Sequence, residues 1–195
     1  MNGFERRKEQ KKNSIRRVAL ELFKVYGFNK VSINDIAHKA GVSQVTIYNH
    51  FGSKQELVRD VIKTLSVNLL GKYRAIIKGE GSFLEKLETI LLDKTKIVSQ
   101  FQGELMQTAI QNDPEIQQFI ESMWQQEVSQ LTVNFLHEGK EQGYVDPGLS
   151  DEAILVYFEI LRKGIYAGFN IPAKVERNPL LLRELMSLFA YGLNG

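Results

Sequence analysis

Apolar side chains recur at intervals of three and four along most of this chain, and strand-length runs alternating apolar with polar positions are nearly absent. The spacing predicts helices at about residues 8–26, 33–39, 44–50, 54–77, 83–98, 101–111, 114–141, 151–169 and 179–193. Their starts carry capping signals. Ser32 with Asp35, Ser53 with Glu56 and Ser82 with Glu85 each place a hydroxyl three residues ahead of an acid. Asp113-Pro114 and Asn178-Pro179 each put a capping side chain before a proline suited to the first helical turn. Gly27, Gly143 and the Gly79-Glu80-Gly81 stretch are the expected stops.

Two of these helices are short and close together. In INDIAHKAGVSQVTIYNHF, residues 33–51, the joint is Ala40-Gly41-Val42, and Gly41 suits a sharp left-handed turn. Ile36, Val42, Ile47 and Phe51 are spaced to face a core shared with Val18, Leu22 and Phe23, and Ala37 is small where the helices cross. Ser43 is placed to cap the second helix, leaving its first amides open to a phosphate. That helix is too short to stand alone, so packing must hold it while its other face points outward. Gln44, Thr46 and Tyr48 can then reach base edges in a major groove, with His50 and Lys54 where the phosphate backbone runs. Asn49 lies at the edge of this face. The predicted fold class is all-α: an N-terminal three-helix helix-turn-helix unit over residues 1–55, then a helical bundle over residues 56–195.

The net charge of +2 conceals an asymmetry. Residues 1–60 hold 12 Lys and Arg against 6 Asp and Glu, while residues 61–195 hold 13 against 17. A basic head on a weakly acidic body fits a polyanion partner for the head, with a solvated basic face as the plain alternative. The sign changes inside the predicted helix 54–77, so the connection is expected to be rigid.

With these residues in view, AGVSQVTIYNHFGSKQEL resembles the DNA-binding signature of the TetR family of bacterial transcriptional regulators. The likeness spans roughly residues 10–60. It implies groove contacts from Gln44, Thr46 and Tyr48, and phosphate contacts from Ser32, Tyr48, His50 and Lys54. The basic stretch Arg6 to Lys12 looks like an additional contact to the DNA backbone or minor groove. The resemblance further implies a divergent helical body that dimerises and binds a small inducer.

The body offers its own support for a homodimer. AILVYFEILRKGIYAGF, residues 153–169, is apolar nearly all round, unlike a helix with one buried stripe. Leu161, Gly164 and Gly168 there, with Leu181, Leu185 and Leu188 of the last helix, are the expected interface, a four-helix contact between two copies. Phe101, Met106, Trp124, Tyr157 and Tyr166 are candidates for the wall of an apolar pocket, although any one of them is core more often than ligand contact. Glu159 is a candidate for a cationic ligand, with Lys163 four residues on as a competing ion-pair partner. His137 and Glu141 share a helical face without a third metal ligand.

Composition excludes several classes. Without cysteine there are no disulfides or thiolate metal sites, which is compatible with a reducing cytoplasm, the expected location. No stretch reaches the roughly 18 apolar residues of a spanning helix, and the basic start leads into no apolar signal core. There is no glycine-rich phosphate loop and no nucleophile with an evident base, so no enzyme, cofactor or resident metal is expected. The leading expectation is a homodimeric repressor on a near-palindromic double-stranded operator, released by a small, largely apolar inducer. The alternatives are a helix-turn-helix that docks protein, or a regulator without an inducer.

Overall fold

The computed structural model describes residues 3–100 and 110–166, with isolated positions 174, 178, 180, 181, 184 and 188 beyond them. Every regular element among the described residues is helical. The helices are α1 (Gly3–Lys30), α2 (Ile33–Ala40), α3 (Gln44–Phe51), α4 (Lys54–Lys78), α5 (Phe83–Gln100), α6 (Pro114–Met123), α7 (Ser129–Glu141) and α8 (Asp151–Tyr166).

The caps form as the spacing predicts. Ser32 and Asp35 make a complete capping box at α2, each side chain bonding the other's backbone amide. Ser82 and Glu85 do the same at α5, whereas Ser53 accepts from the Glu56 amide while Glu56 turns to Arg59. Asp113 caps α6 through the amides of Glu115 and Ile116 at 3.1 and 3.3 Å. Asn178 accepts from the Leu180 amide at 3.2 Å.

Two expectations need correction. The first helix starts at Gly3 and not near residue 8, and Gly27, at φ 79° and ψ 162°, breaks it where the stop was expected, before a short further stretch to Lys30 that turns Phe28 and then Val31 into the core. The stretch 114–141 is not uniform either. Between α6 and α7, residues Trp124–Val128 form a π-helical turn, in which the Ser129 amide reaches back to the Trp124 carbonyl.

Two apolar cores organise the molecule. The first gathers Ile15, Ala19 and Phe23 of α1, Ile36 and Ala37 of α2, Ile47 and Phe51 of α3, and Leu57, Val61 and Ile62 of α4. It also takes in Ile116 of α6, a body residue only 1% exposed, with Ile110 and Ile120 packed at its edge. The second core holds Phe83, Ile90, Phe135, Leu136, Val145 and Ile154, with Tyr73, Ile76 and Ile77 of α4 against it. Gly139 lets Phe83 and Val145 close over α7, because a Cβ there would lie 2.7 Å from Val145 Cγ2 and 2.9 Å from Phe83 Cε2. α4 therefore contributes to both cores, and at 25 residues it is about 37 Å long.

Polar ties reinforce the joint between head and body. Arg59 of α4, with 13% of its side chain exposed, bonds Asp113 and Glu115 of the body at 2.7 and 2.6 Å, and Gln55 adds a bond to Asp113. Burial opposes ionisation of Asp113, but the bonds from Arg59, Gln55 and the Ile116 amide outweigh it and hold the carboxyl below its usual range. On the head's other side Arg16 joins α1 to Asp60 of α4 and to Glu9.

Candidate nucleic-acid interface

The recognition helix is α3, and its two faces divide cleanly. Ile47 and Phe51, one turn apart, are buried in the first core. Gln44, Val45, Tyr48 and Asn49 point outward, with Val45 65% and Tyr48 47% exposed. An exposed valine beside a half-exposed tyrosine is unfavourable against water, and suits a surface that meets apolar groups such as thymine methyls. Sequence reasoning passed over Val45, although its place between Gln44 and Thr46, out of phase with Ile47 and Phe51, was the available signal.

The turn before α3 follows from Gly41, at φ 65° and ψ 38°, whose neighbour Val42 donates to the Ala37 carbonyl at 3.0 Å. Ser43 then caps α3 by accepting from the Thr46 amide at 3.1 Å. Its hydroxyl also lies 2.9 Å from that of Thr46, so Thr46 sits half-buried at the flank of the outward face. Gly52, at φ 83°, ends α3 by donating to the Tyr48 carbonyl at 2.7 Å.

An open groove runs between the α1–α2 connection and α3, lined among others by Asn29, Ser32, Asn34, Gln44, Tyr48 and Lys54. Four of the expected DNA contacts are thus brought to one place. Gln44 donates to Asn34 at 2.9 Å, and the Lys54 amine donates to the Asn29 carbonyl at 3.2 Å. The Ser32 hydroxyl donates to Asp35 at 2.6 Å, and Ile33 and Asn34 of the first turn of α2 line the same groove. The site offers amide, hydroxyl and ammonium donors at a helix N-terminus, the donor set that binds a phosphate.

His50 lies at the other end of α3 and is half-buried, with its Nδ1 buried and without a hydrogen bond among the described residues. Desolvation pushes its pKa down, and the charges of Lys8, Lys12 and Lys11 push it further in the same direction. Those lysines belong to the start of α1, which the structure shows as regular helix, with the Lys12 amine 5.2 Å from the Phe51 ring centroid. The helix start thereby adds a basic patch to one end of α3.

The body candidates divide. Glu159 pairs with Lys163 at 2.9 Å. Trp124 is half-buried in the π turn. Tyr157 stands 39% exposed on the outward face of α8 with Val156 and Ile160, while Ile154 and Phe158 face the core. The 100° step of the helix separates these two sets. Phe101, Met106, Gly168 and Leu185 lie outside the described residues, as do the side chains of Leu161 and Tyr166. Gly164 follows Ile160 by one turn of α8. Leu181 is partly buried, and Leu188 is 68% exposed. His137 meets Asp151 at 2.7 Å, and the described residues contain no cluster of three metal-ligating side chains. No described helix is long and apolar enough to cross a membrane.

Residues 15–61 match the family model described as bacterial regulatory proteins, tetR family. The transcriptional repressor KstR2 of Mycobacterium tuberculosis is 26% identical over 144 residues, 70% of either chain. The transcriptional regulator YvdT of Bacillus subtilis is 32% identical over 90 residues, 46% of each chain. Among solved structures, FadR of Bacillus subtilis in complex with stearoyl-CoA superposes with a TM-score of 0.66 at 19% identity, over 92% of this chain and 98% of that one. The helix-turn-helix with its outward face and donor-lined groove thus coincides with residues 15–61, the stretch that matches the tetR-family model, and the chain is similar in sequence to the repressor KstR2 and in fold to FadR.

Proposed function

We propose that this chain is a homodimeric repressor that binds a near-palindromic operator and leaves it when a small, largely apolar molecule occupies the body. The observation that carries the DNA reading is the outward face of α3, where Gln44, Val45, Tyr48 and Asn49 stand clear of the core beside the groove of Ser32 and Lys54. In this reading Gln44, Thr46, Tyr48 and Asn49 approach base edges, while Ser32, Ser43, His50 and Lys54 position the head on phosphates.

A dimer supplies two recognition helices to the two halves of an operator. The apolar outward face of α8, with Val156, Tyr157 and Ile160, supports pairing through this helix. Leu161, Gly164 and Gly168, with Leu181, Leu185 and Leu188 of the C-terminal region, complete the proposed contact. Ligand control then requires only that the body have two arrangements to which the ligand binds unequally. α4 and the Arg59–Asp113 tie carry that difference to the head, and linkage makes operator and ligand weaken each other equally.

The test is binding to fragments of DNA upstream of the protein's own gene, for the wild type and Tyr48→Ala, at two salt concentrations. Salt-dependent binding to one near-palindromic fragment, lost in the variant, is the expected result. Binding that ignores both salt and the substitution would sink the reading and favour a head that docks protein.

A further inference from the structure

The first side chain of the recognition helix is tied to the other helix of the pair. Gln44 opens α3, Asn34 lies in the first turn of α2, and both are exposed. The Gln44 Nε2 donates to Asn34 Oδ1 at 2.9 Å across the groove that the two helix starts line together. Among the described residues nothing else bonds the Gln44 amide.

This one bond sets what the amide has left to offer. A glutamine amide carries two N–H donors and one carbonyl acceptor. Asn34 takes one of the two hydrogens, so one donor and the neighbouring acceptor remain for whatever enters the groove. In the major groove adenine presents an acceptor at N7 beside a donor at N6, the complement of that pair. Guanine presents two acceptors, N7 and O6, and would set its O6 against the Gln44 Oε1. Turning the Gln44 amide over would bring Oε1 against Asn34 Oδ1, two acceptors face to face. The bond also orders a long side chain before DNA arrives, which lowers the cost of binding.

We propose that Asn34 is a positioning residue for base recognition: it fixes the Gln44 amide so that Gln44 reads adenine and rejects guanine at one position of each operator half-site. This rests on the reading of α3 as the helix that enters the groove, and it names the base selected at the start of that helix. Asn34 acts through Gln44 alone.

The experiment is quantitative selection by the full chain on duplexes carrying a randomised binding site, for the wild type, Gln44→Ala, Asn34→Ala and Asn34→Asp. The wild type is expected to prefer adenine over guanine about tenfold or more at one position of the half-site, within the range of a bidentate base contact. Gln44→Ala should flatten the preference at that position and so identify it. Asn34→Ala should lower the same preference about fivefold, as the loss of one orienting hydrogen bond does. It should leave the other positions as they are and melt with the wild type, since Asn34 is exposed. Asn34→Asp still accepts from Nε2 and should keep the preference, while its added charge weakens binding to every sequence.

No position answering to Gln44→Ala, or a base other than adenine there, overturns the proposal. So does an Asn34→Ala profile identical to the wild type. A preference lost at a position other than the one Gln44 governs overturns it too, because Asn34 would then be a DNA contact in its own right. The wild type separates the two claims. A selected near-palindrome whose profile ignores Asn34 sinks this proposal alone, whereas no selected sequence at all sinks the DNA reading and this proposal with it.

Discussion

Ile116 offers the sharpest test of how body and head are joined. It sits on α6, yet its side chain is 1% exposed and belongs to the core built by α1, α2, α3 and α4. Ile116→Ala removes three carbons, worth about 2.4 kcal/mol at roughly 0.8 kcal/mol each. The space left behind adds to this, because helices tied by Arg59 and Asp113 cannot collapse freely, and such truncations cost about 2–5 kcal/mol in total. We expect about 3 kcal/mol, and about 1 kcal/mol for Ile116→Val. In a chain of 195 residues the alanine variant should melt about 6–12 °C lower. Urea and thermal denaturation followed by circular dichroism measure both, with the exposed neighbour Gln118→Ala as the control, expected within about 0.5 kcal/mol of wild type. If Ile116→Ala proves no more damaging than the control, α6 is not packed into the head, and the proposed route from ligand to operator loses its apolar half.

Three further outcomes follow from the geometry. Lysines and desolvation depress the His50 pKa in the free protein, and a phosphate partner raises it, so binding takes up a proton between the two values. Operator affinity should therefore fall as pH rises through the titration of the phosphate-bound histidine, and fluorescence-anisotropy titrations should find that slope absent in His50→Gln. For Gly139→Ala, the gain of about 1 kcal/mol in helix propensity is opposed by contacts of 2.7 Å to Val145 and 2.9 Å to Phe83. Both neighbours are buried and the crowding costs about 1–3 kcal/mol, so calorimetry should show net destabilisation, and a stabilised variant would mean that the Phe83 ring yields. Ile160→Glu places a charge on the 63% exposed position of α8 and should yield monomers in light scattering with an unchanged helical spectrum; a persistent dimer would move the interface elsewhere.

Local features were legible because their physics is local. The boxes at Ser32 and Ser82, the Asp113 cap and the left-handed Gly41 each depend on a few neighbouring residues, and all formed as read. The inward set of Ile36, Ile47 and Phe51 was equally readable, since short helices leave few ways to bury their apolar positions. Other features depend on distant partners. Ile116 joins the head core across more than fifty residues from α4, and no periodicity in α6 announces which core it enters. In α8 the nearly uniform apolar sequence cannot say which face turns outward, and the fold leaves Val156, Tyr157 and Ile160 exposed. The π turn needs one bond from Ser129 to Trp124, which helical spacing does not distinguish from ordinary helix.

That α4 serves two cores has a bearing on engineering. Biosensors are often sought by grafting the reading head of one regulator onto the sensing body of another, and the natural place to cut seems to be the change of charge near residue 60. Here that cut would pass beside Val61 and Ile62, through the middle of the head's own core. A join after Lys78 keeps the helix whole, but it also imports Tyr73, Ile76 and Ile77, which must fit the foreign body. The recipient must further supply a branched side chain where Ile116 stands and a carboxylate to meet Arg59. Exchangeable parts in this protein are therefore defined by matched surfaces along α4 and α6, and a hybrid that keeps both sets should respond to its new ligand without relearning its operator.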